Sequence, residues 1–374
     1  MRWLVLAFTL LLPACDVFSS DKFEVYGEMY QPTRQPFTGF HAFWLNEDEI
    51  LLLNFDCQAE LYYPKTKRFE YLSEICEARF FENAFQLSDK RIVVVDGATM
   101  FGRVKEGVFD KSETTVEEFV PETKRFRKLG KLLLPRGKAS VVVLPDDNLL
   151  VYGGTEIEGK YIRHSVTLAE TKKVELFDTK KGTSRFVGEL STHCIGESPK
   201  AVLMKNGKVV VMGGCGRGEK KDYLQIYDPV TQKFTLGPKF VKKADIKRVF
   251  SLSKTQTLIF DYEGAKLYDL EGGKVIKSAQ YPKNTGQGSI LKVNDRYVYI
   301  MGSSWPFLGQ DIWQHTSNRT IVFDIDKHRF MKGPSLEIAR LGGVPVLWND
   351  TILLFAGSGN NGSLDTVESY TLER

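Results

Sequence analysis

Three arginines stand at equivalent points of a repeating chain, and their chemistry suits acidic ligands. Arg79, Arg136 and Arg340 each lie just before the first strand of a repeated unit, 12 or 13 residues before the apolar second strand that follows. If the units form a ring, equivalent positions converge on its axis, and three guanidiniums would surround one channel mouth. Guanidinium groups bind carboxylates through two parallel hydrogen bonds. This spacing predicts a binding site for carboxylates or sugar acids.

A second candidate site is the connection at residues 303–318, which reads SSWPFLGQDIWQHTSN. Its ligand-binding candidates are Trp305, Trp313 and His315. Large rings are costly to expose, so they pack either on a ligand or on a neighbouring unit, and the sequence leaves both open. Residues 96–115 and 155–172 are predicted as two further long loops on the same face.

Four of the five cysteines, all except Cys15, form the third chemical group. Cys57 and Cys215 follow apolar strands, whereas Cys76 and Cys194 lie in connections between units. An even number of cysteines in an exported protein favours disulfides, and we expect Cys57 to pair with Cys76 and Cys194 with Cys215. Each bond would close a loop of about 20 residues and contribute roughly 3 kcal/mol. Zinc is the alternative, but no CxxC spacing is present. We predict no metal site, no cofactor and no catalytic residue.

The first residues have the pattern of an export signal. A cationic start at residues 1–2 precedes an apolar run at residues 3–12, which is too short to remain as a membrane-spanning helix. The run ends at Ala14 and Cys15 in a sequence that resembles the lipobox of bacterial lipoproteins. That resemblance implies lipidation of Cys15, and more than one acyl chain makes such an anchor stable. A soluble secreted protein with a chance cysteine is the alternative.

The remainder of the chain repeats one unit about every fifty residues. Each unit has a strand, a tight turn, a second apolar strand, a Gly or Asp break, a third strand and a fourth strand that ends in an aromatic residue. The second strands share a run of apolar residues at 50–53, 92–95, 149–152, 209–212, 257–260, 297–301 and 352–355. The seventh unit ends without a fourth strand. Residues 23–30 can supply it, which would close a ring and remove its exposed edges.

These features resemble the Kelch-repeat family. The resemblance depends on the glycine pairs Gly153-Gly154 and Gly213-Gly214, on the ends Leu176-Phe177-Asp178 and Ile226-Tyr227-Asp228, and on the closing aromatics. It implies an all-β Kelch-type β-propeller of seven four-stranded blades, with six as the alternative count. It also implies another role for the three arginines, in which each hydrogen-bonds carbonyls of the next blade.

We therefore expect a signal peptide at residues 1–14, a lipidated tether at 15–22 and a single propeller domain at 23–374. The net charge is +4 and no basic tract is present, which argues against a nucleic-acid partner. The predicted function is a membrane-tethered, monomeric binding or protein-interaction module of the bacterial cell envelope, at the outer membrane or the periplasmic side of the inner membrane. Its ligand would be an unknown protein or carbohydrate.

Two classes of enzyme that have Kelch propellers are alternatives to a binding module. Copper oxidases of that type use Tyr, Cys and His ligands, but the five histidines here are scattered over different units without ligand spacing. Sialic-acid mutarotases need only a carboxylate and arginines near the channel mouth, and Glu82 or Glu156 could be that carboxylate. A sugar-acid mutarotase or epimerase is therefore the alternative function.

Overall fold

The second strand of each unit is buried on both faces, which is what a sheet packed between two other sheets requires. Ile92, Val93, Val94 and Val95 are all fully buried. β-branched residues suit such a strand because their stiff side chains pack well on a pleated surface. The sequence pattern and the observed burial therefore agree that each sheet has a neighbour on either side.

The computed structural model describes the following parts of the chain: residues 22–29, 40–54, 59–72, 83–100, 109–137, 139–158, 167–190, 200–212, 223–240, 246–283, 285, 288–304 and 316–373. These residues form strands and turns, with no helix among them. Accordingly, they include no helix with the length and apolar character needed to cross a bilayer.

The strands, in chain order, fall into an N-terminal strand and seven blades. The N-terminal strand is β1 (Glu24–Glu28). Blade 1 contains β2 (His41–Asn46), β3 (Glu49–Leu53), β4 (Ala59–Tyr63) and β5 (Arg68–Leu72). Blade 2 contains β6 (Asn83–Gln86), β7 (Ile92–Val95), β8 (Ala98–Met100), β9 (Phe109–Val120) and β10 (Arg125–Arg136). Blade 3 contains β11 (Ser140–Val143), β12 (Leu149–Tyr152), β13 (Thr155–Glu158), β14 (Thr167–Glu170), β15 (Lys173–Asp178) and β16 (Thr183–Glu189).

The second half of the ring has the same plan. Blade 4 contains β17 (Lys200–Leu203), β18 (Val209–Met212), β19 (Tyr223–Asp228) and β20 (Lys233–Lys239). Blade 5 contains β21 (Arg248–Ser251), β22 (Gln256–Phe260), β23 (Gly264–Asp269) and β24 (Lys274–Gln280). Blade 6 contains β25 (Ser289–Lys292), β26 (Tyr297–Ser304), β27 (Thr316–Asp324) and β28 (Arg329–Lys332). Blade 7 contains β29 (Val344–Trp348), β30 (Thr351–Phe355), the short hairpin β31 (Ser358–Gly359) and β32 (Gly362–Ser363), and β33 (Thr366–Thr371).

The ring is closed by the N-terminal strand. β1 pairs antiparallel with β33, with Glu24 opposite Ser369, and the sheet order is β1-β33-β30-β29. Phe23 packs on Tyr370 with ring centroids 5.3 Å apart. The predicted seven four-stranded blades, with the last blade closed by the N-terminal strand, are therefore confirmed.

The hydrophobic core is divided into seven clusters, one between each pair of neighbouring blades. The cluster that joins the last blade to the first contains Leu353 and Phe355 of blade 7 together with Ile50, Leu52 and Tyr62 of blade 1. The other six clusters follow the same rule around the ring. Because every blade is packed on both sides, the fold has no free sheet face inside the ring.

The closing aromatic of the fourth strand packs on an aromatic of the third strand. Phe69 lies 4.8 Å from Tyr62, and Phe234 lies 4.9 Å from Tyr227, measured between ring centroids. Blades 2 and 6 repeat the arrangement. Such tilted pairs contribute about 0.5–1.5 kcal/mol beyond the area they bury, which explains why the aromatic recurs at this point.

Parts of two of the predicted long loops are strands. β9 extends past blade 2, where its first residues pair with β8 and where Lys111 is paired with Glu158 of β13. β13 also pairs with β14. Strands of blades 2 and 3 thus form a small accessory sheet outside the ring. The loop prediction was wrong at residues 98–100, 109–115, 155–158 and 167–170, which are strands that pair with one another, whereas residues 101–108 and 159–166 lie outside the described residues.

Candidate functional site

One end of the ring is defined by the first residues of the innermost strands. In six blades this residue is opposite the last residue of the second strand, as Lys200 is opposite Met212 and Arg248 is opposite Phe260; in blade 6, whose second strand extends further, Ser289 is opposite Met301. The seven equivalent residues are His41, Asn83, Ser140, Lys200, Arg248, Ser289 and Val344. We call this end of the ring the axial end.

Two of the axial-end residues are cations on neighbouring blades. Lys200 of blade 4 and Arg248 of blade 5 are both exposed. Burial nevertheless lowers the pKa of Arg248 from its ordinary value. The axial end therefore has a cationic sector on blades 4 and 5, which can attract anionic groups.

Other axial-end side chains join neighbouring blades. Asn83 Nδ2 donates to Asp96 Oδ2 (3.1 Å) and to the carbonyl oxygen of Ala139 in the next blade (3.0 Å). Asp96 Oδ2 accepts in turn from the backbone N–H of Ala139 at 2.8 Å. In blade 6, the Ser289 hydroxyl donates to the carbonyl oxygen of Gly343 in blade 7 (2.5 Å). These polar groups hold the blades in register.

Burial lowers the pKa of His41, the axial-end residue of blade 1, to about 4. Its ring lies parallel to that of Phe43, with centroids 5.9 Å apart. The imidazole is therefore neutral at pH 7. It adds no positive charge to the axial end, so the cationic sector comes from blades 4 and 5.

Arg136, the last residue of β10, is fully buried, and its side chain forms hydrogen bonds with groups of blade 3. Its Nη2 lies 2.9 Å from Glu175 Oε1, and its Nη1 donates to the carbonyl oxygen of Gly153 at 2.6 Å. Glu175 also accepts from the backbone N–H groups of Leu133 (2.6 Å) and Leu134 (3.2 Å). The pair therefore holds the connection from blade 2 against the third strand of blade 3. Burial lowers the pKa of Arg136, and Glu175 opposes that shift.

Arg340 repeats this arrangement in blade 7. Its Nη2 lies 2.5 Å from Glu368 Oε1, and its Nη1 donates to the carbonyl oxygen of Ala356 at 2.7 Å. Glu368 accepts from the backbone N–H groups of Glu337 (2.7 Å) and Ile338 (3.1 Å). We call each such arginine, glutamate and pair of backbone donors a clasp. Both guanidiniums therefore hydrogen-bond protein groups, which agrees with the role that the Kelch resemblance implies for these arginines.

The glutamates of the clasps were missed by sequence reasoning, although a signal was present. Glu175 and Glu368 are opposite the last residue but one of the second strand, as are Glu60 of blade 1 and Glu117 of blade 2. Glu60 is also buried. A glutamate that recurs within an apolar strand, two residues before an aromatic residue, predicts a buried partner of opposite charge.

A backbone contact explains one glycine near the blade 7 clasp. Gly302 has φ +66°, and a Cβ at this residue would lie 2.3 Å from the carbonyl oxygen of Arg340. The close approach of blade 6 to the blade 7 connection therefore excludes any side chain there.

The other sequence candidates lie outside the described residues. These are Cys15, Arg79, Trp305, Trp313 and His315, and the four cysteines Cys57, Cys76, Cys194 and Cys215. Their lipidation, ligand-binding and disulfide roles remain predictions. Within the described part of the chain, no group of three or more His, Cys, Asp or Glu side chains is placed to hold a metal ion.

Comparison with known proteins supports the fold. The model of the Kelch motif matches residues 198–240, which is blade 4 with its flanking residues. No curated protein matches the sequence. A solved structure described as a "novel fungal alcohol oxidase with catalytic diversity among the AA5 family, in complex with copper" is similar with a TM-score of 0.67. The sequence identity is 15%, over 94% of this chain and 76% of the other. At this identity the likeness concerns the fold alone.

Proposed function

Because the chain is a seven-bladed β-propeller that carries a Kelch motif, we propose that it is a lipid-anchored binding module of the bacterial cell envelope. The observation that carries this proposal is the cationic sector of the axial end, where Lys200 and Arg248 are exposed on adjacent blades. The axial end is therefore the surface that we assign to an anionic protein or carbohydrate ligand.

The direction of the N-terminal strand supports a tethered arrangement. Glu28, at the end of β1, is paired with Thr366 near the axial end, whereas Glu24 is paired with Ser369 further down blade 7. The chain thus enters blade 7 from the end opposite the axial end. The eight tether residues, 15–22, span at most about 29 Å. A lipid on Cys15 would hold the opposite end near the membrane and leave the axial end facing away from it.

The anchor and the ligand surface are tested separately. Wild type should fractionate with membranes, and Cys15→Ala should move to the soluble fraction. A Cys15→Ala protein that still fractionates with membranes would refute the anchor.

For the ligand surface, tagged wild type and the double variant Lys200→Glu/Arg248→Glu are used to capture partners from envelope extracts. We expect at least one abundant partner to be lost with the variant and kept with the control Lys233→Glu/Lys274→Glu, which has the same charge change on outer strands. Identical captures by all three proteins would refute the axial end as the ligand surface.

A sugar-acid mutarotase is the second candidate, because the same two cations suit a sugar carboxylate. Of the carboxylates suggested for it, Glu82 lies outside the described residues, and Glu156 belongs to β13 of the accessory sheet. The test is exchange between the anomers of N-acetylneuraminate, followed by NMR. Acceleration by wild type that Lys200→Glu/Arg248→Glu abolishes would favour the enzyme, whereas exchange at the uncatalysed rate would exclude it.

A further inference from the structure

A groove on the rim of the ring, between blades 5 and 6, carries three cations that the proposed function does not use. Its volume is about 500 Å³, within the range of ligand pockets. Lys283 lines it from the connection after blade 5, and Arg319 and Lys332 line it from blade 6. No acidic residue is among the lining residues that the structure describes. We call this feature the rim groove.

The sheet register explains why the cations of blade 6 share one side of the groove. Ile321 is paired with Lys332, and directly opposite residues share a face of the sheet. Arg319 lies two residues before Ile321 and therefore belongs to the same face. Ile321 and Phe330 pack in the core cluster between blades 5 and 6, so this face is directed towards blade 5. The rim groove thus has cations above an apolar floor.

The positive charge of the three cations is not balanced by acidic side chains in the described part of the chain. Lys283, Arg319 and Lys332 are exposed, and none has an ion-pair partner among the described residues. Elsewhere in the structure exposed cations do find acidic partners, as Lys65 does with Asp48 at 2.5 Å. Like charges held close together without counter-charges favour an anionic ligand.

We propose that the rim groove binds an acidic peptide segment of a partner protein, with carboxylates on Lys283, Arg319 and Lys332 and one apolar side chain on the floor of Ile321 and Phe330. This goes beyond the proposed function because the groove is a different surface. Thr320 and Ser289 are both paired with Met301, which places the groove at the same level of blade 6 as the axial end. Its outermost strand, β28, lies three strands out from β25, roughly 14 Å at ordinary strand spacing.

The test uses the purified full-length protein and a fluorescein-labelled peptide, Glu-Asp-Phe-Asp-Glu, with the neutral peptide Gln-Asn-Phe-Asn-Gln as its counterpart. Binding is measured by fluorescence anisotropy. We expect saturable binding of the acidic peptide only, weakened at least ten-fold by Arg319→Glu/Lys332→Glu, which corresponds to ~1.4 kcal/mol. The charge-keeping variant Arg319→Lys/Lys332→Arg should bind within about three-fold of wild type, since most of the attraction comes from charge.

Two matched variants control for net charge and for the other surface. Lys233→Glu/Lys274→Glu and Lys200→Glu/Arg248→Glu should both bind the acidic peptide as wild type does. The proposal is overturned by wild type that does not bind, or by an equal loss in either control variant. It is also overturned if glucuronate displaces the peptide at equal concentration, because the groove would then be a site for small organic acids.

Discussion

The clasp of blade 3 makes a quantitative prediction about Arg136. Arg136→Met removes the guanidinium and leaves Glu175 as a buried carboxylate that has lost two of its hydrogen bonds. Removing one partner of a buried ion pair costs about 3–5 kcal/mol. The ring has roughly 350 residues, so its unfolding entropy is about 0.74 kcal/mol per degree. Arg136→Met should therefore lower the Tm by about 4–7 °C, measured by calorimetry.

A double-mutant cycle separates the clasp from general damage. Glu175→Gln should cost a similar amount, and Arg136→Met/Glu175→Gln should cost less than the two single changes together, by about 1–3 kcal/mol. Arg340→Met should behave as Arg136→Met does. Arg127→Met is the exposed control, because Arg127 pairs with Glu118 while 67% of its side chain is exposed, and should shift stability by no more than about 1 kcal/mol. An unchanged Tm for Arg136→Met together with lost ligand binding would refute the clasp and make Arg136 a ligand group.

Two further predictions concern pH and oxidation. Because His41 has an unfolded pKa of 6.5 and a folded pKa of about 4, only the unfolded chain binds its proton at intermediate pH, so stability is greatest above pH 6.5 and falls as the pH decreases towards 4. Urea unfolding should show that wild type loses about 2 kcal/mol more than His41→Phe between pH 7.5 and pH 5, and parallel losses would contradict this origin. For the cysteines, peptide mapping of the exported protein without reductant should find Cys57 joined to Cys76 and Cys194 joined to Cys215; four free thiols would exclude the pairing.

The repeated pattern was sufficient to predict the blades and their closure. The apolar second strands have to be buried on both faces, so their number gave the number of blades. The unpaired third strand at residues 366–371 needed a partner, and β1 was the strand left over. These features repeat locally in the sequence, which is why single-sequence reasoning could find them.

The features that sequence reasoning missed depend on contacts between distant residues. The accessory sheet forms through a pairing of Lys111 with Glu158, which neither segment indicates alone. The cations of the axial end, Lys200 and Arg248, are the first residues of their strands, and only the register shows that they share a level. The repeat pattern instead singles out the arginines just before these strands, but Arg136 and Arg340 are buried in clasps.

The closure of the seven blades into a ring is the central structural claim, and a crosslink across the seam tests it most directly. Glu24 and Ser369 are paired in the register of β1 and β33, so Glu24→Cys/Ser369→Cys should form a disulfide without added catalyst. Mass spectrometry should find the two peptides joined through positions 24 and 369. A bond that closes a loop of this length should add up to about 5 kcal/mol of stability. Free thiols at both positions in the folded, oxidised protein would contradict the closed ring.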